Sequence, residues 1–128
     1  MMKRLYLLLA TLLGLVGCQR LAGAPTETTF FVFAKIQDTV GPIERGTKYE
    51  DPLDAVLKKT KLGEVTGGGS QLNKEKEIEW IGVDIELVTL TGALALTKKT
   101  LRDIGAPKGS VLEYEKDGKK YTLPIHDE

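Results

Sequence analysis

The stretch that decides the fold runs from Glu77 to Val88 and reads EIEWIGVDIELV. From its fifth residue onward, apolar and polar side chains alternate, which is the period of a β-strand with one buried face. Such strands are typical of antiparallel sheets that pack on one side and meet water on the other. The buried set is predicted to be Ile81, Val83, Ile85 and Leu87, and the outward set Asp84 and Glu86.

Two residues at the start of this stretch are out of phase with the buried set. Ile78 and Trp80 fall on the alternate positions that Asp84 and Glu86 occupy further on. A β-bulge between Trp80 and Ile81 would produce this slip, because one extra residue reverses the side-chain phase. Alternatively, Ile78 and Trp80 cover the outer face near the end of the sheet. The pattern leaves both interpretations open.

Two further segments predict strands of the same sheet. Phe30–Ile36 (FFVFAKI) is apolar on both faces for most of its length, which predicts a central strand. Its outward set is either Phe31, Phe33 and Lys35, or Phe30, Val32, Ala34 and Ile36. Near the other end, Asp117-Gly118 predicts a tight hairpin. Closing the chain there pairs Lys116 with Lys119, Glu115 with Lys120, Tyr114 with Tyr121 and Leu112 with Leu123.

Helical signals lie between these strands. Residues 37–50 read as a loop, after which Asp51 is a candidate N-cap and Gly63 a candidate stop. A second helix is predicted from an N-cap at Thr91 to Gly105. The order β-α-β-β-α-β resembles the ferredoxin-like fold, which implies an α+β architecture. Its antiparallel sheet would carry two helices on one face, with an extra strand from the carboxyl-terminal hairpin.

The amino terminus resembles a bacterial lipoprotein signal peptide. Lys3 and Arg4 precede a thirteen-residue apolar run, and Leu15-Val16-Gly17-Cys18 resembles a lipobox. A membrane-spanning helix needs about twenty residues, and an ordinary secretory signal would normally end in a small-x-small site. The resemblance implies cleavage of residues 1–17 and attachment of diacylglycerol and a further fatty acid to Cys18. Residues 18–28 would then be a tether and 29–128 a single domain.

This resemblance also implies a location in the cell envelope. Gln19 follows the cysteine where an aspartate would favour the inner membrane, so the outer membrane, facing the periplasm, is expected in a diderm host. Cleavage removes Lys3 and Arg4 and leaves 16 basic against 18 acidic side chains. A mildly acidic chain argues against nucleic acid as a partner, because phosphate contacts require clustered cations.

Signals for catalysis are sparse. The run Gly67-Gly68-Gly69-Ser70 lacks the following helix and the Gly-Lys-Ser/Thr ending of a phosphate loop. It predicts instead a bulged or bent strand that another backbone or a partner approaches closely. His126 is the only histidine and is expected to be solvated. No metal or cofactor is therefore predicted.

The acidic pair on the deciding stretch allows two interpretations. Asp84 and Glu86 could act as general acid and base, or they could line a solvated face. Aromatic side chains beside acids on central strands favour a protein partner with a basic patch. We therefore expect a lipid-anchored, non-catalytic protein-binding module, such as an immunity or inhibitor-type protein. The alternatives are a structural lipoprotein of an envelope assembly and a small carboxylate-based hydrolase. Candidate contact residues are Asp84, Glu86, Gly67, Gly68, Gly69 and Trp80.

Overall fold

A computed structural model describes residues 28–127, which form a five-stranded sheet with helices packed against it. The predicted signal peptide, Cys18 and the tether up to residue 27 lie outside the described residues. The strands are β1 (Phe30–Ile36), β2 (Gly63–Leu72), β3 (Ile78–Leu87), β4 (Val111–Lys116) and β5 (Lys119–Pro124). The helices are α1 (Pro42–Arg45), a π-helical turn (Gly46–Glu50), α2 (Asp51–Thr60) and α3 (Ala93–Asp103).

The strands lie side by side in the order β2-β3-β1-β4-β5, and every neighbouring pair is antiparallel. The predicted α+β class is confirmed. So is the central position of β1, which pairs with β3 on one side and β4 on the other. The hairpin register is also as predicted, and the rings of Tyr114 and Tyr121 stack with their centroids 5.3 Å apart.

The core lies between one face of the sheet and the helices. β1 contributes Val32, Ala34 and Ile36, and all three are fully buried. The helices contribute Leu53, Leu57 and Leu101 to the same cluster, and β3 contributes Ile81, Val83, Ile85 and Leu87. Every member of this cluster lies between residues 32 and 125, so the described part of the chain has a hydrophobic core of its own, as domains that fold independently do.

The prediction of a loop over residues 37–50 is correct as far as Gly41 and wrong from Pro42 onward, and the predicted N-cap at Asp51 is also wrong. A helix begins after Gly41, with Pro42 in its first turn, where proline is tolerated. It continues through the π-helical turn into α2, and Asp51 has helical dihedral angles. Tyr49 is fully buried in this segment, and burying that ring overrides the local signals of glycine and proline.

Two other predicted helix ends are displaced by one or two residues. α2 ends at Thr60 and is capped by Lys61, which has a φ of 61°, and Gly63 is instead the first residue of β2. A Cβ on Gly63 would lie 2.2 Å from the carbonyl oxygen of Glu86, so only glycine fits this close strand contact. α3 is capped by Gly92 rather than Thr91, because the cap has a φ of 78° that favours glycine.

The bulge considered between Trp80 and Ile81 is absent, since these two residues pair with the consecutive residues Gln71 and Ser70 of β2. The β2–β3 ladder is irregular at two other places, where it passes over Thr66 and over Glu79. Trp80 lies on the outer face, as the alternative interpretation had it. Ile78 lies beyond the irregularity and packs against the core.

Candidate functional site

The sheet surface opposite the helices, which we call the open face, is the most distinctive surface of the domain. The outward residues of β1 are Phe31, Phe33 and Lys35, because the alternate set Val32, Ala34 and Ile36 is buried in the core. Phe31 is 51% exposed, which is unusual for so large an apolar side chain on a central strand. The open face is defined by Phe31, Phe33, Lys35, Trp80, Asp84, Glu86, Glu113 and Glu115.

Each phenylalanine of the open face lies beside carboxylates. Phe31 is directly opposite Glu86 on β3. Phe33 has Asp84 opposite it on β3 and Glu113 opposite it on β4. The pairing therefore places an aromatic stripe along the centre of the sheet, with acids along both sides of it.

Phe33 is held in place by its neighbours. Its ring lies over Gly82, where a Cβ would be 2.4 Å from the ring Cζ atom. Trp80 meets the ring edge-on, with centroids 6.1 Å apart and planes at 80°. The ammonium of Lys35 lies 4.7 Å from the centroid of the Trp80 ring, which is a cation–π contact. Trp80 thus helps to hold the Phe33 ring in position on the open face.

A groove of about 560 Å³ adjoins Phe31. It forms because the β1–β4 ladder ends where Val32 is opposite Tyr114, whereas the β4–β5 hairpin continues to Lys116. The start of β1 and the hairpin therefore separate, and Phe31 lies between them. The groove is lined by Thr29, Phe30, Phe31, Phe33, Glu113, Tyr114, Glu115, Lys120, Tyr121 and Thr122.

The predicted acidic pair lies on this surface. Asp84 and Glu86 are both partly exposed and extend from the same face of β3. The carboxylate of Glu86 accepts a hydrogen bond from the hydroxyl of Thr29. Each acid has a phenylalanine opposite it on β1, an arrangement that can bind a cation carried on an apolar stem.

The glycine run lies in β2, at the outer edge of the sheet. A Cβ on Gly68 would lie 2.3 Å from a carboxylate oxygen of Glu50 and 3.0 Å from Nε of Arg45. These two side chains form an ion pair of 2.6 Å, and Arg45 also donates a hydrogen bond to the hydroxyl of Ser70. The close approach predicted for this run is made at Gly68 by side chains of the chain itself.

Sequence reasoning missed Arg45 and Glu50 entirely. They were assigned to a loop, and Arg45 is separated from its contact Ser70 by 25 positions, so no local pattern links them. The unusual density of glycine was the only signal that something packs on this strand.

A second cluster that the sequence did not indicate joins the end of β1 to the π-helical turn. The Tyr49 hydroxyl donates to the carboxylate of Asp38 at 2.6 Å, and the ammonium of Lys48 donates to the same oxygen at 3.0 Å. Burial and the bond to Asp38 raise the pKa of Tyr49 to about 12. Burial alone would raise the pKa of Asp38, but the hydrogen bonds from Tyr49, Lys48 and the Thr39 amide hold it below its usual value.

His126 is partly buried, contrary to the prediction that it is solvated. Its Nε2 atom lies 2.6 Å from the carbonyl oxygen of Ala106. The carboxyl-terminal tail is fixed on either side of it, because Arg102 donates to the carbonyl oxygen of Ile125 and Lys98 pairs with Asp127. The fully buried Ile125 anchors this tail in the core. The histidine therefore belongs to a docked chain end.

Comparisons with known proteins do not assign a function to the open face. No family model matches the chain, and no curated protein or solved structure matches it. Within residues 28–127, no group of three or more His, Cys, Asp or Glu residues is arranged to hold a metal ion. Within the same range, no helix has the length and apolar content needed to cross a membrane.

Proposed function

We propose that this chain is a lipid-anchored protein of the bacterial cell envelope that binds a protein partner through the open face and performs no catalysis. The observation that carries the proposal is the exposure of Phe31 beside Glu86 and the groove-lining acids Glu113 and Glu115. An immunity or inhibitor-type protein is one form of this function. A toxin gene adjacent to the gene for this chain would favour that form.

The chemistry of the open face selects a basic partner. Lysine and arginine side chains have apolar stems that can cover an aromatic ring while their charged ends reach a carboxylate. A cation above a phenylalanine ring gains about 0.5–1 kcal/mol at an exposed site. Complementary charge also speeds association and excludes acidic competitors. A basic patch on a second protein therefore fits this surface better than nucleic acid does.

The anchor rests on the sequence alone. The lipobox-like Leu15-Val16-Gly17-Cys18 places acylation at Cys18, and Gln19 favours the outer membrane with the domain facing the periplasm. β1 begins at Phe30, so only a short tether separates Cys18 from the open face. In cells supplied with labelled fatty acid, Cys18→Ser should take up no label and remain unprocessed. Normal maturation of this variant would contradict the anchor.

We further propose that the sheet is ferredoxin-like with one added strand. The neighbour relations of the first four strands, β2-β3-β1-β4, support this, and β5 extends the sheet beyond β4. The assignment concerns architecture alone, because one fold can carry many unrelated functions. A crystal structure of segment 29–128 with a different strand order would reject it.

A variant-controlled capture experiment tests the binding function. Segment 29–128 is immobilised and exposed to envelope extracts at low and high salt, as wild type, Phe31→Ala and Glu86→Lys. The proposal requires one identifiable basic protein that both variants lose and that high salt releases. Ile43→Ala is the matched control, because Ile43 is an exposed apolar side chain (86%) on α1. Equal capture by all variants would reject the open face as the binding surface.

The hydrolase alternative has its own test. Asp84→Asn combined with Glu86→Gln removes both candidate acid–base groups while keeping their size. A hydrolytic activity that needs this pair would be lost in the double variant. The binding proposal instead expects reduced affinity for the partner, because two of the open-face charges are gone.

A further inference from the structure

The two edges of the sheet are protected to very different degrees. An exposed edge presents unpaired main-chain groups, and proteins usually guard it with lysine, proline or a short strand. β5 is short and carries Lys119, Lys120 and Pro124. β2 is ten residues long, and Glu64 is its only charged residue. The β2 edge is therefore the one left open to another strand.

Only part of β2 is covered by the domain itself. The amide of Val65 donates to the carboxylate of Asp54 on α2 at 2.9 Å, so the helix caps the edge at this point. Beyond the irregularity at Thr66, the strand is exposed from Gly68 to Leu72. This segment is long enough to pair with an added strand of typical length.

On the open-face side, the glycines expose an acid to the edge. The carboxylate of Asp84 lies 3.3 Å from the position that a Cβ on Gly67 would take. A Cβ on Gly69 would have no atom within 4 Å. Neither Gly67 nor Gly69 therefore places a side chain between Asp84 and a residue that projects from a strand added beside β2.

The helix side of the same edge is also acidic. A depression beside Val65, Thr66 and Gly67 is lined by Glu50, Asp51 and Asp54. Glu50 is paired with Arg45, and Asp54 with Lys58. Asp51 adds a further negative charge at this position. At its Gly67 end an added strand would therefore meet Asp84 on one face and Asp51 on the other, which is the complement of a basic segment, whereas from Gly68 to Ser70 the helix side is covered by the neutralised Arg45–Glu50 pair.

We propose that the β2 edge from Gly67 to Leu72 accepts an extended, basic segment of the protein partner as a sixth strand of the sheet. The inference rests on the proposed function, since it specifies how a basic protein is bound. Main-chain hydrogen bonds to β2 supply affinity, as in other cases of strand addition. Side chains that alternate along the added strand reach Asp84 on one face and Asp51 on the other.

Matched peptides test strand addition on segment 29–128. The probe is a peptide of about ten residues in which pairs of lysines alternate with pairs of valines, so that both faces of the strand carry lysine. A second peptide carries N-methyl groups on alternate main-chain nitrogens, which keeps its charge but removes the strand donors. A third carries glutamate in place of lysine. The first peptide should bind at least about ten-fold more tightly than either control. For the N-methylated peptide, losing main-chain hydrogen bonds worth about 1.4 kcal/mol in total gives that ratio.

Amide hydrogen exchange locates the binding. The first peptide should slow exchange of the β2 amides from Gly68 to Leu72 and leave those of β5 unchanged. Gly69→Lys should abolish binding, because it places a like charge where the glycine left open space. Ala95→Lys, at an exposed position of α3, is the matched charge control and should retain binding. Thermal unfolding of both variants verifies that they fold.

Several results would overturn the inference. They are equal binding of the N-methylated peptide, no binding of the first peptide, and binding without protection of β2. Self-association that Gly69→Lys abolishes would show that a second copy of this chain takes the edge instead. The captured partner separates this inference from the proposed function. If Phe31→Ala no longer binds that partner and Gly69→Lys still binds it, the proposed function is supported and the inference about the β2 edge is rejected.

Discussion

The ring of Phe33 lies directly over Gly82, so that a Cβ on Gly82 would be 2.4 Å from the ring Cζ atom. This relationship fixes the aromatic stripe of the open face, because the ring rests on the backbone of the neighbouring strand. Trp80 then meets the same ring edge-on. The geometry of the open face thus depends on a residue that has no side chain.

Gly82→Ala should therefore destabilise the domain. The added methyl group must displace the Phe33 ring, and such overpacking typically costs about 1–3 kcal/mol. Chemical denaturation measures the free energy of unfolding, and the fluorescence of Trp80 reports the displaced ring. Gly69→Ala is the control, because its Cβ would have no atom within 4 Å. Equal stability of the two variants would contradict the close packing of Phe33 on Gly82.

Phe31→Ala should weaken binding of the partner and leave the stability of the domain almost unchanged. The side chain is half-exposed, so its removal should change the free energy of unfolding by less than about 1 kcal/mol. Binding of the partner should nevertheless be strongly reduced, because aromatic anchors dominate such surfaces. Leu112→Ala on β4 is the contrasting variant. Leu112 is fully buried, and we expect a cost of about 2–5 kcal/mol.

The contact of Gly68 with the Arg45–Glu50 pair can be measured by a double-mutant cycle. Gly68→Ala places a methyl group 2.3 Å from the Glu50 carboxylate, so the ion pair must shift. The cost should be on the order of 1 kcal/mol, because the end of a flexible side chain can move aside. In a Glu50→Ala background the same substitution should cost clearly less. Additive effects in the cycle would show that the two residues do not interact.

Stability should fall at alkaline pH because of Tyr49. Its pKa is raised to about 12 in the folded state, above the value of 10.0 for an unperturbed tyrosine. Between these two values the unfolded chain loses its phenolic proton first, so each rise in pH favours unfolding. Tyr49→Phe should remove this contribution to the decline. Urea denaturation of both proteins across that pH range provides the measurement.

Asp38 should make the stability of the domain fall at acidic pH. Its folded-state pKa lies below the ordinary aspartate value of 3.8, so its contribution to stability is present above that pH and is lost as the pH falls through the folded value. Asp38→Asn should flatten this acidic loss. Lys48→Met should flatten it only in part, since the bonds from Tyr49 and the Thr39 amide remain.

Periodicity was a reliable guide where local pattern and tertiary burial agree. Ile81, Val83, Ile85 and Leu87 alternate in the sequence and are all fully buried. The Asp117-Gly118 turn also fixed the register of its hairpin, because a two-residue loop allows only one pairing. Both features can be read from a pattern of residues that are close in sequence.

Prediction failed where a distant contact decides the conformation. The segment before Asp51 contains glycine and proline, yet it is helical because Tyr49 is buried and bonded to Asp38. The reason for glycine at position 68 could not be read either, since the groups that approach it come from another element. The outward set of β1 was undecided for the same reason: both faces of that strand are apolar, and only packing distinguishes them.

The central position of β1 has a mechanical consequence. β1 is the first strand of the described chain, and it is bonded along both sides, through seven residue pairs to β3 and four to β4. A pull applied at Thr29 therefore acts along the strand and loads both ladders together, so their hydrogen bonds resist in shear. An edge strand at this position would peel away from a single neighbour. The domain is thus joined to whatever precedes Thr29 through a strand that is held on both sides.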